Sequence, residues 1–329
     1  MTAGASSWHA VARSRAIGTK PHRVVVDGQP LVIFRSRGGL SCLTDRCPHR
    51  FAPLSLGRVV DDTIACPYHG WRFDATGRCR AIPGLLEPVP NIIVPPHELR
   101  DRNGLIFVSS GTARGEPYPG ILSGPGSVRH IVENRVRSRL LDVAENILDA
   151  THTHFTHGGL LRGLSSRRYK VKVTVTGGDG FVEARYEGEP RQEGLISRLL
   201  EGERSISVGR FIAPGIAELE FWGRDRINLS TTFYLRQEDD HHVHGFGVLA
   251  GPTQGGIGYL KAALLLPFFH VALRQDRRIL TTAHRNKEFW PDARPVVGRL
   301  DILRSDIDAI LRGERPKAAD APVELTMEL

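Results

Sequence analysis

Residues 47–50 read CPHR and residues 66–71 read CPYHGW, so a Cys-x-His pair and a Cys-x-x-His pair stand sixteen residues apart. No other feature of the 329-residue chain restricts its fold as tightly. Four ligand-type side chains have to be carried to one place by two loops, and each loop offers one thiol and one imidazole. Pro48 and Pro67 stiffen the loops, and Gly70 permits a tight turn directly after His69. Around them, PLVIFRSRGGL, SCLTDRC and DTIACPYHGWRFDATGRC alternate short β-type runs with Gly and Asp turns. That pattern predicts an antiparallel β domain with the four side chains at its tips.

One thiolate and one imidazole per loop suit a [2Fe–2S] centre of mixed ligation, in which one iron takes two sulfurs and the other two nitrogens. Exchanging two thiolates for neutral imidazoles removes negative charge and raises the potential above that of an all-cysteine ferredoxin. Structural zinc on two Cys and two His is the competing reading. Zinc loops more often supply a Cys-x-x-Cys pair, whereas both loops here mix their ligands in the order Cys then His. All four cysteines, Cys42, Cys47, Cys66 and Cys79, fall in the first quarter of the chain beside histidines, which favours metal over disulfides. Cys42 and Cys79 lie outside the pattern and read as small buried residues.

The segment PLVIFRSRGGLSCLTDRCPHRFAPLSLGRVVDDTIACPYHGWRFDATGRCRAIP resembles the Rieske domain of the Rieske non-haem iron oxygenases, and HRFAPLSLG and YHGWRFD carry the likeness beyond the ligands. The resemblance implies that Cys47, His49, Cys66 and His69 hold a [2Fe–2S] cluster. The loops lack the extra cysteines of respiratory-type Rieske proteins. More than two hundred residues follow, for which a pure electron carrier with a non-catalytic second domain has no use.

After SSGTARGEPYPG, a Gly/Pro-rich linker at 109–120, RHIVENRVRS alternates as a strand and LLDVAENILDA has helical periodicity. The helix leads into ENILDATHTHFTH, residues 145–157, with two carboxylates and three histidines. His154 and His157, three apart, would share a helix face; His152 and His157, five apart, would not. An iron that activates dioxygen needs ligands on one side only, which two histidines and one carboxylate supply. In the family the helix carries Asp-x-x-His-x-x-x-x-His, and the resemblance sets this on Asp149, His152 and His157. It thereby favours the five-residue spacing and a helix distorted between the two histidines. His154 then reads as a surface or outer imidazole, and Glu145 as structural. The family is a head-to-tail trimer in which a carboxylate links a cluster histidine of one chain to an iron histidine of the next. This implies Asp149 between the partner subunit's His69 and the chain's own His152. The family takes its third iron ligand from a long C-terminal helix, and the resemblance of RQDRRIL to that ligand segment selects Asp276, with Glu288 and Asp301 as weaker candidates. Arg274, Arg277 and Arg278 around Asp276 leave a surface ion pair as its bland alternative.

Between these helices, RYKVKVTVTG, GFVEARYEG, SISVGRFIA, IAELEFWG, INLSTTFYLR and HHVHGFGVLA alternate as strands of one antiparallel sheet. In HHVH, His242 and His244 share a strand face, but no carboxylate companion is evident, so the group reads as structural. The tail GERPKAADAPVELTMEL reads as a loose terminus. The expected fold class is thus α+β: an all-β Rieske domain over 1–115, then a catalytic domain over 116–329 with a curved antiparallel sheet and helices carrying mononuclear iron.

The resemblance implies the oxygenase component of a multicomponent system. It takes electrons from an NAD(P)H-dependent flavoprotein reductase, with or without a ferredoxin, and uses O2 to hydroxylate or demethylate a small aromatic or cyclic substrate. Ring cis-dihydroxylation is the alternative. The chain resembles the compact homotrimeric members. Its excess of 44 basic over 36 acidic residues suits an acidic redox partner, and the scattered arginines form no nucleic-acid-binding pattern. The N-terminus has no apolar signal core, which predicts a cytoplasmic location. The greasy run at 259–276 is interrupted by Lys261, Pro267 and His270 and reads as too short for a bilayer span.

Overall fold

A continuous apolar run such as LVIF in a β pattern needs an apolar environment on both sides, and the strand containing it has one. In the computed structural model, which describes residues 8–109, 111, 115–158, 160, 168–188 and 205–329, Leu31 and Ile33 enter one core while Val32 and Phe34 enter another. The linker lies partly, and residues 1–7 wholly, outside the described residues. The chain divides into two compact units, Ser6–Tyr118 and Pro119–Leu329.

Among the described residues the first unit contains eleven short strands: β1 (Trp8–Arg13), β2 (His22–Val26), β3 (Gln29–Ser36), β4 (Gly39–Thr44), β5 (Arg58–Val60), β6 (Thr63–Ala65), β7 (Arg72–Phe73), β8 (Cys79–Ala81), β9 (Pro96–His97), β10 (Leu99–Arg102) and β11 (Leu105–Ser109). They form antiparallel sheets in the orders β1-β11-β10, β2-β3-β4-β9 and β5-β6-β7-β8. The second core gathers Val32, Phe34, Leu43, Leu54, Ile64 and Phe73 with Cys47, Cys66 and Cys79. Each large side chain buried there contributes ~1.5–3 kcal/mol, so the two cysteine loops rest on a well-buried core.

The second unit is built on β12 (Ser127–Arg137), β13 (Lys170–Gly178), β14 (Phe181–Glu187), β15 (Ile206–Ile212), β16 (Ile216–Trp222), β17 (Ile227–Asp239), β18 (His242–Pro252) and β19 (Val323–Glu328). These make one antiparallel sheet in the order β12-β18-β17-β16-β15-β14-β13-β19. Among the described residues four α-helices accompany it: α1 (Leu140–Leu148), α2 (Thr153–Thr156), α3 (Ile257–Lys287) and α4 (Arg304–Leu311). Helix α1 packs against β15, β16 and β17, and α3 lies on β12 and β18. The apolar positions of α1 recur at helical spacing and bury Val143, Ala144 and Leu148.

Two expectations are corrected. The tail is not loose: Val323–Glu328 pairs antiparallel with β13 as the edge strand of the sheet, and Leu329 exchanges backbone hydrogen bonds with Tyr169. Its alternation, with Met327 and Leu329 buried, was obscured by the charged residues on its outer face. The greasy run is part of a 31-residue helix that continues through Pro267. The helical segment Gln254–Lys287 is long and apolar enough to cross a bilayer by length and composition alone, with a mean hydropathy of 1.5 over its most apolar window. One such helix is weak grounds for a membrane span, and this one lies along the sheet.

Candidate metal centres

The two cysteine loops are closed by the same pair of backbone hydrogen bonds. Cys47 N–H donates to Ala52 O (2.9 Å) and accepts at its own carbonyl from Phe51 N–H (2.9 Å); Cys66 N–H donates to Trp71 O (2.8 Å) and accepts from Gly70 N–H (3.1 Å). The fourth residue after each cysteine takes a left-handed backbone, Gly70 at φ 72° and Phe51 at φ 59°. Gly70 does so freely, whereas Phe51 does so at a cost of ~1–2 kcal/mol, partly offset by Arg46 stacking 5.1 Å from its ring centroid. These matched turns bring His49 and His69 to a ring separation of 4.5 Å, with Trp71 stacked on His49 at 4.7 Å.

Burial separates the donors by type. Cys47 and Cys66 are buried, and His49 and His69 are exposed. A two-iron cluster held here would keep its sulfur-ligated iron inside and its nitrogen-ligated iron at the surface. Burial pushes the Cys47 thiol up to about 11 against the lowering effect of the His49 backbone N–H, which donates to its sulfur. At neutral pH that proton leaves only when a metal replaces it. The cysteines outside the motif behave differently: Cys42 and Cys79 are buried in strands, and burial pushes Cys42 up to about 12.

In the second unit the helix does not run through to the histidines. Asp149 ends α1 with an extended backbone (ψ 117°) and accepts at Oδ1 from Thr151 N–H and Oγ1, both at 2.7 Å. This Asx turn is what breaks the helix. The chain restarts as the four-residue α2, with His152 at its N-terminal cap and His157 at its C-terminal cap. The break turns the two rings toward each other, 5.2 Å apart and 72° inclined, which answers the spacing question that a straight helix could not.

Asp276 comes from α3. Its Oδ1 lies 3.0 Å from His157 Nε2 and 3.6 Å from His152 Nε2, and one ligand atom of each residue falls within 4.8 Å of the other two. Three donors sharing one divalent ion at ~2.1 Å and ~90–110° stand ~3.0–3.4 Å apart, close to what is seen. Oδ1 is buried without a hydrogen-bond partner, which an ion between the donors would supply. The donor set itself, two imidazoles and a carboxylate, is that of non-haem iron(II). Burial opposes charge on His152, but the Asp149 and Asp276 carboxylates on either side of the ring outweigh it and push the metal-free imidazole up to about 9. Asp149 Oδ2 sits 3.5 Å from His152 Nδ1, on the side away from Asp276.

The other sequence candidates go elsewhere. Glu288 pairs with Arg137 at 2.7 Å, Asp301 accepts from Gly298 N–H at 2.6 Å, and Glu145 pairs with Arg304. His154 is not among the converging donors. Gln275 was missed: its Oε1 lies 2.8 Å from His157 Nδ1, which fixes the tautomer and leaves Nε2 free to ligate. Its neighbour Asp276 was the only signal, and nothing in the sequence says which histidine Gln275 meets. The HHVH histidines do have acidic companions, Asp239 for His242 and Glu133 for His244, each at 2.9 Å.

A cavity of about 190 Å³ opens onto His152, His157 and Asp276. Apolar protein cavities of ~150 Å³ accept a benzene ring, so this one has space for a ring with a few substituent atoms. Val208, Leu219, Phe221, Leu249, Phe269 and Leu273 are among the many apolar residues of its wall. Asn146, Ser207 and Thr231 add polarity, and among the described residues no lysine or arginine lines it. Asn146 Oδ1 is buried without a hydrogen-bond partner.

Residues 7–92 match the Rieske [2Fe-2S] domain, and residues 136–304, half of the chain, match the vanillate O-demethylase oxygenase C-terminal domain. The chain therefore belongs to the Rieske non-haem iron oxygenases, a family that uses a [2Fe–2S] cluster and a mononuclear iron. It is 26% identical to the oxygenase component of dicamba O-demethylase from Stenotrophomonas maltophilia, over 79% of this chain and 77% of the relative. Other curated relatives match over shorter stretches. Aminopyrrolnitrin oxygenase PrnD of Pseudomonas fluorescens is 33% identical over 46% of each chain. Chlorophyllide a oxygenase of Chlamydomonas reinhardtii is 38% identical over 40% of this chain and 21% of the relative. The structure of dicamba monooxygenase bound to 3,6-dichlorosalicylic acid superposes with a TM-score of 0.78 at 21% identity, covering 93% of this chain and 95% of that one.

Proposed function

We propose that this chain is the terminal oxygenase of a multicomponent system, oxidising a small, uncharged, largely apolar ring compound by monooxygenation or oxidative demethylation. The observation that carries this reading is the buried, unpartnered Asp276 Oδ1 facing two imidazole Nε2 atoms at the wall of an apolar cavity. When bound, the cluster supplies electrons one at a time and the mononuclear iron supplies dioxygen activation. Cys47, His49, Cys66 and His69 hold the first group; His152, His157 and Asp276 hold the second. All three donors of the second come from one side, which leaves the cavity side for oxygen and substrate. Gln275 holds the His157 ring in place. The apolar walls exclude water and select against anionic substrates, because among the described residues no lysine or arginine lines the cavity to balance such a charge. Asn146, Ser207 and Thr231 are the groups available to orient a hydroxyl, ether or amine.

In this reading the protein works as a head-to-tail homotrimer. The exposed His69 of one chain delivers electrons through Asp149 of the next, whose carboxylate bridges the partner subunit's His69 and its own His152. Reducing equivalents come from a separate NAD(P)H-dependent flavoprotein reductase, directly or through a ferredoxin, and the basic net charge of +8 favours an acidic donor. The test is oxygen uptake with a surrogate reductase against a panel of neutral and carboxylated aromatic ethers and amines, with ¹⁸O2 tracing. Consumption coupled to neutral substrates, with one labelled atom in the product or in released formaldehyde, is expected. Two labelled atoms in a cis-diol would indicate dihydroxylation instead, and uptake confined to carboxylates would overturn the substrate class.

A further inference from the structure

A second constellation of metal-ligating side chains lies outside the oxygenase site. His241 occupies the tight turn between β17 and β18, and its Nδ1 faces His284 Nε2 of α3 at 3.2 Å. The rings stand 5.5 Å apart and 79° inclined. Glu288 follows His284 by one helical turn, on the same face of the helix. One ligand atom from each of the three lies within 4.8 Å of the other two. These residues are separate from His152, His157 and Asp276. Only this group and that one among the described residues bring three such donors together.

The separation of the two nitrogens is informative. Zinc–nitrogen bonds of ~2.0–2.1 Å at a tetrahedral angle place two imidazole nitrogens ~3.3 Å apart, and the observed 3.2 Å matches that separation. The turn is also held rigidly. His241 N–H donates to Asp239 Oδ1 (2.8 Å), its carbonyl accepts from Ser138 N–H (2.8 Å), and Gln237 Nε2 donates to the carbonyls of Asp239 and His242. Glu288 is oriented by Arg137, which binds Oε1 at 2.7 Å and leaves Oε2 for another partner. Ligating carboxylates are commonly held by such a donor. The charge on Arg137 opposes a dication, so binding at this open, partly exposed site is weaker than in a closed structural zinc site.

We propose that His241, His284 and Glu288 form a second metal site, for zinc or a similar borderline divalent ion, that pins the β17–β18 turn to the end of α3. Two nitrogens and one carboxylate oxygen suit zinc with water in the fourth position, and nickel or copper would compete for the same donors. The site acts on the helix that carries Asp276, eight residues before His284 and ~12 Å along its axis.

The test uses tag-free protein carrying its cluster and iron, equilibrated with zinc chloride at about 10 µM and analysed for metals after gel filtration. One additional zinc per chain is expected, with iron content and cluster absorbance unchanged and a higher melting temperature. His284→Ala and His241→Gln should each weaken zinc uptake by about tenfold or more. His270→Ala, an exposed histidine elsewhere on α3, should leave it unchanged. Unaltered mononuclear iron content in the variants, which depends on Asp276 of the same helix, shows that the second unit folds. No additional zinc, equal uptake in the His284 and His241 variants, or zinc gained only as iron is lost would each overturn the assignment.

Discussion

The two oxygenase centres of this chain are built in opposite ways. The cysteine loops are local: each ligand pair spans three or four residues, and both loops are closed by the same pair of backbone bonds, with Phe51 in one where the other has Gly70. The iron-type site is long-range, since His157 and its partners Gln275 and Asp276 are more than a hundred residues apart. Local turns set the first geometry before the domain is complete. Only the packed sheet and α3 set the second. Damage to the first should therefore act through the loops, and damage to the second through the fold that aligns α2 with α3.

The largest effect expected is from Asp276→Ala or His157→Ala. Each should abolish mononuclear iron binding and reduce turnover by about a thousandfold or more, while the visible spectrum of the cluster stays intact. Cys66→Ser should do the reverse, removing the cluster and leaving the second iron, as read by metal and labile-sulfide analysis. Asp149→Asn is expected to retain iron yet lower turnover by roughly 10–100-fold; unchanged turnover with a chemical reductant as well as the natural one would dissociate Asp149 from the electron path. Gln275→Leu frees the His157 ring and should weaken iron(II) binding by about tenfold, measured by chelator competition.

Smaller still is the pH response. Metal-free His152 has its pKa raised to about 9, so its protonated form stabilises the folded apoprotein below about pH 6.5 and that contribution is lost as pH rises through 9. Melting temperature of the apoprotein should fall over this window, and the iron-loaded protein should lack the fall because iron replaces the proton. Finally, Gly70→Ala should cost about 1–2 kcal/mol, because the added Cβ meets both a left-handed backbone (φ 72°) and Pro83 at 3.0 Å. Phe51→Ala should cost less, since that position already pays the strain.

The same contrast explains what could be read without the structure. Cys47, His49, Cys66 and His69 were legible because their spacing encodes their turns. The strands of the large sheet were legible because one face is buried, so their residues alternate. Asp149, His152 and His157 needed the family resemblance to choose the five-residue spacing; the reason for it, an Asx turn that ends α1 at Asp149, is a side-chain to backbone bond invisible to periodicity. The partners of Gln275 and of His241 in HHVH could not be read from the sequence, because they lie on elements brought together only by packing. The edge strand Val323–Glu328 was lost because its outer positions are charged, as edge strands commonly are.

The central claim is that one chain holds a sulfur-bridged iron pair and a separate single iron on His152, His157 and Asp276. Iron and acid-labile sulfide counts on anaerobically prepared protein and its His152→Ala/His157→Ala double variant test it most directly. The account predicts about three irons and two sulfides per chain falling to about two and two. Retention of the third iron in the variant, or absence of labile sulfide from either protein, would contradict it.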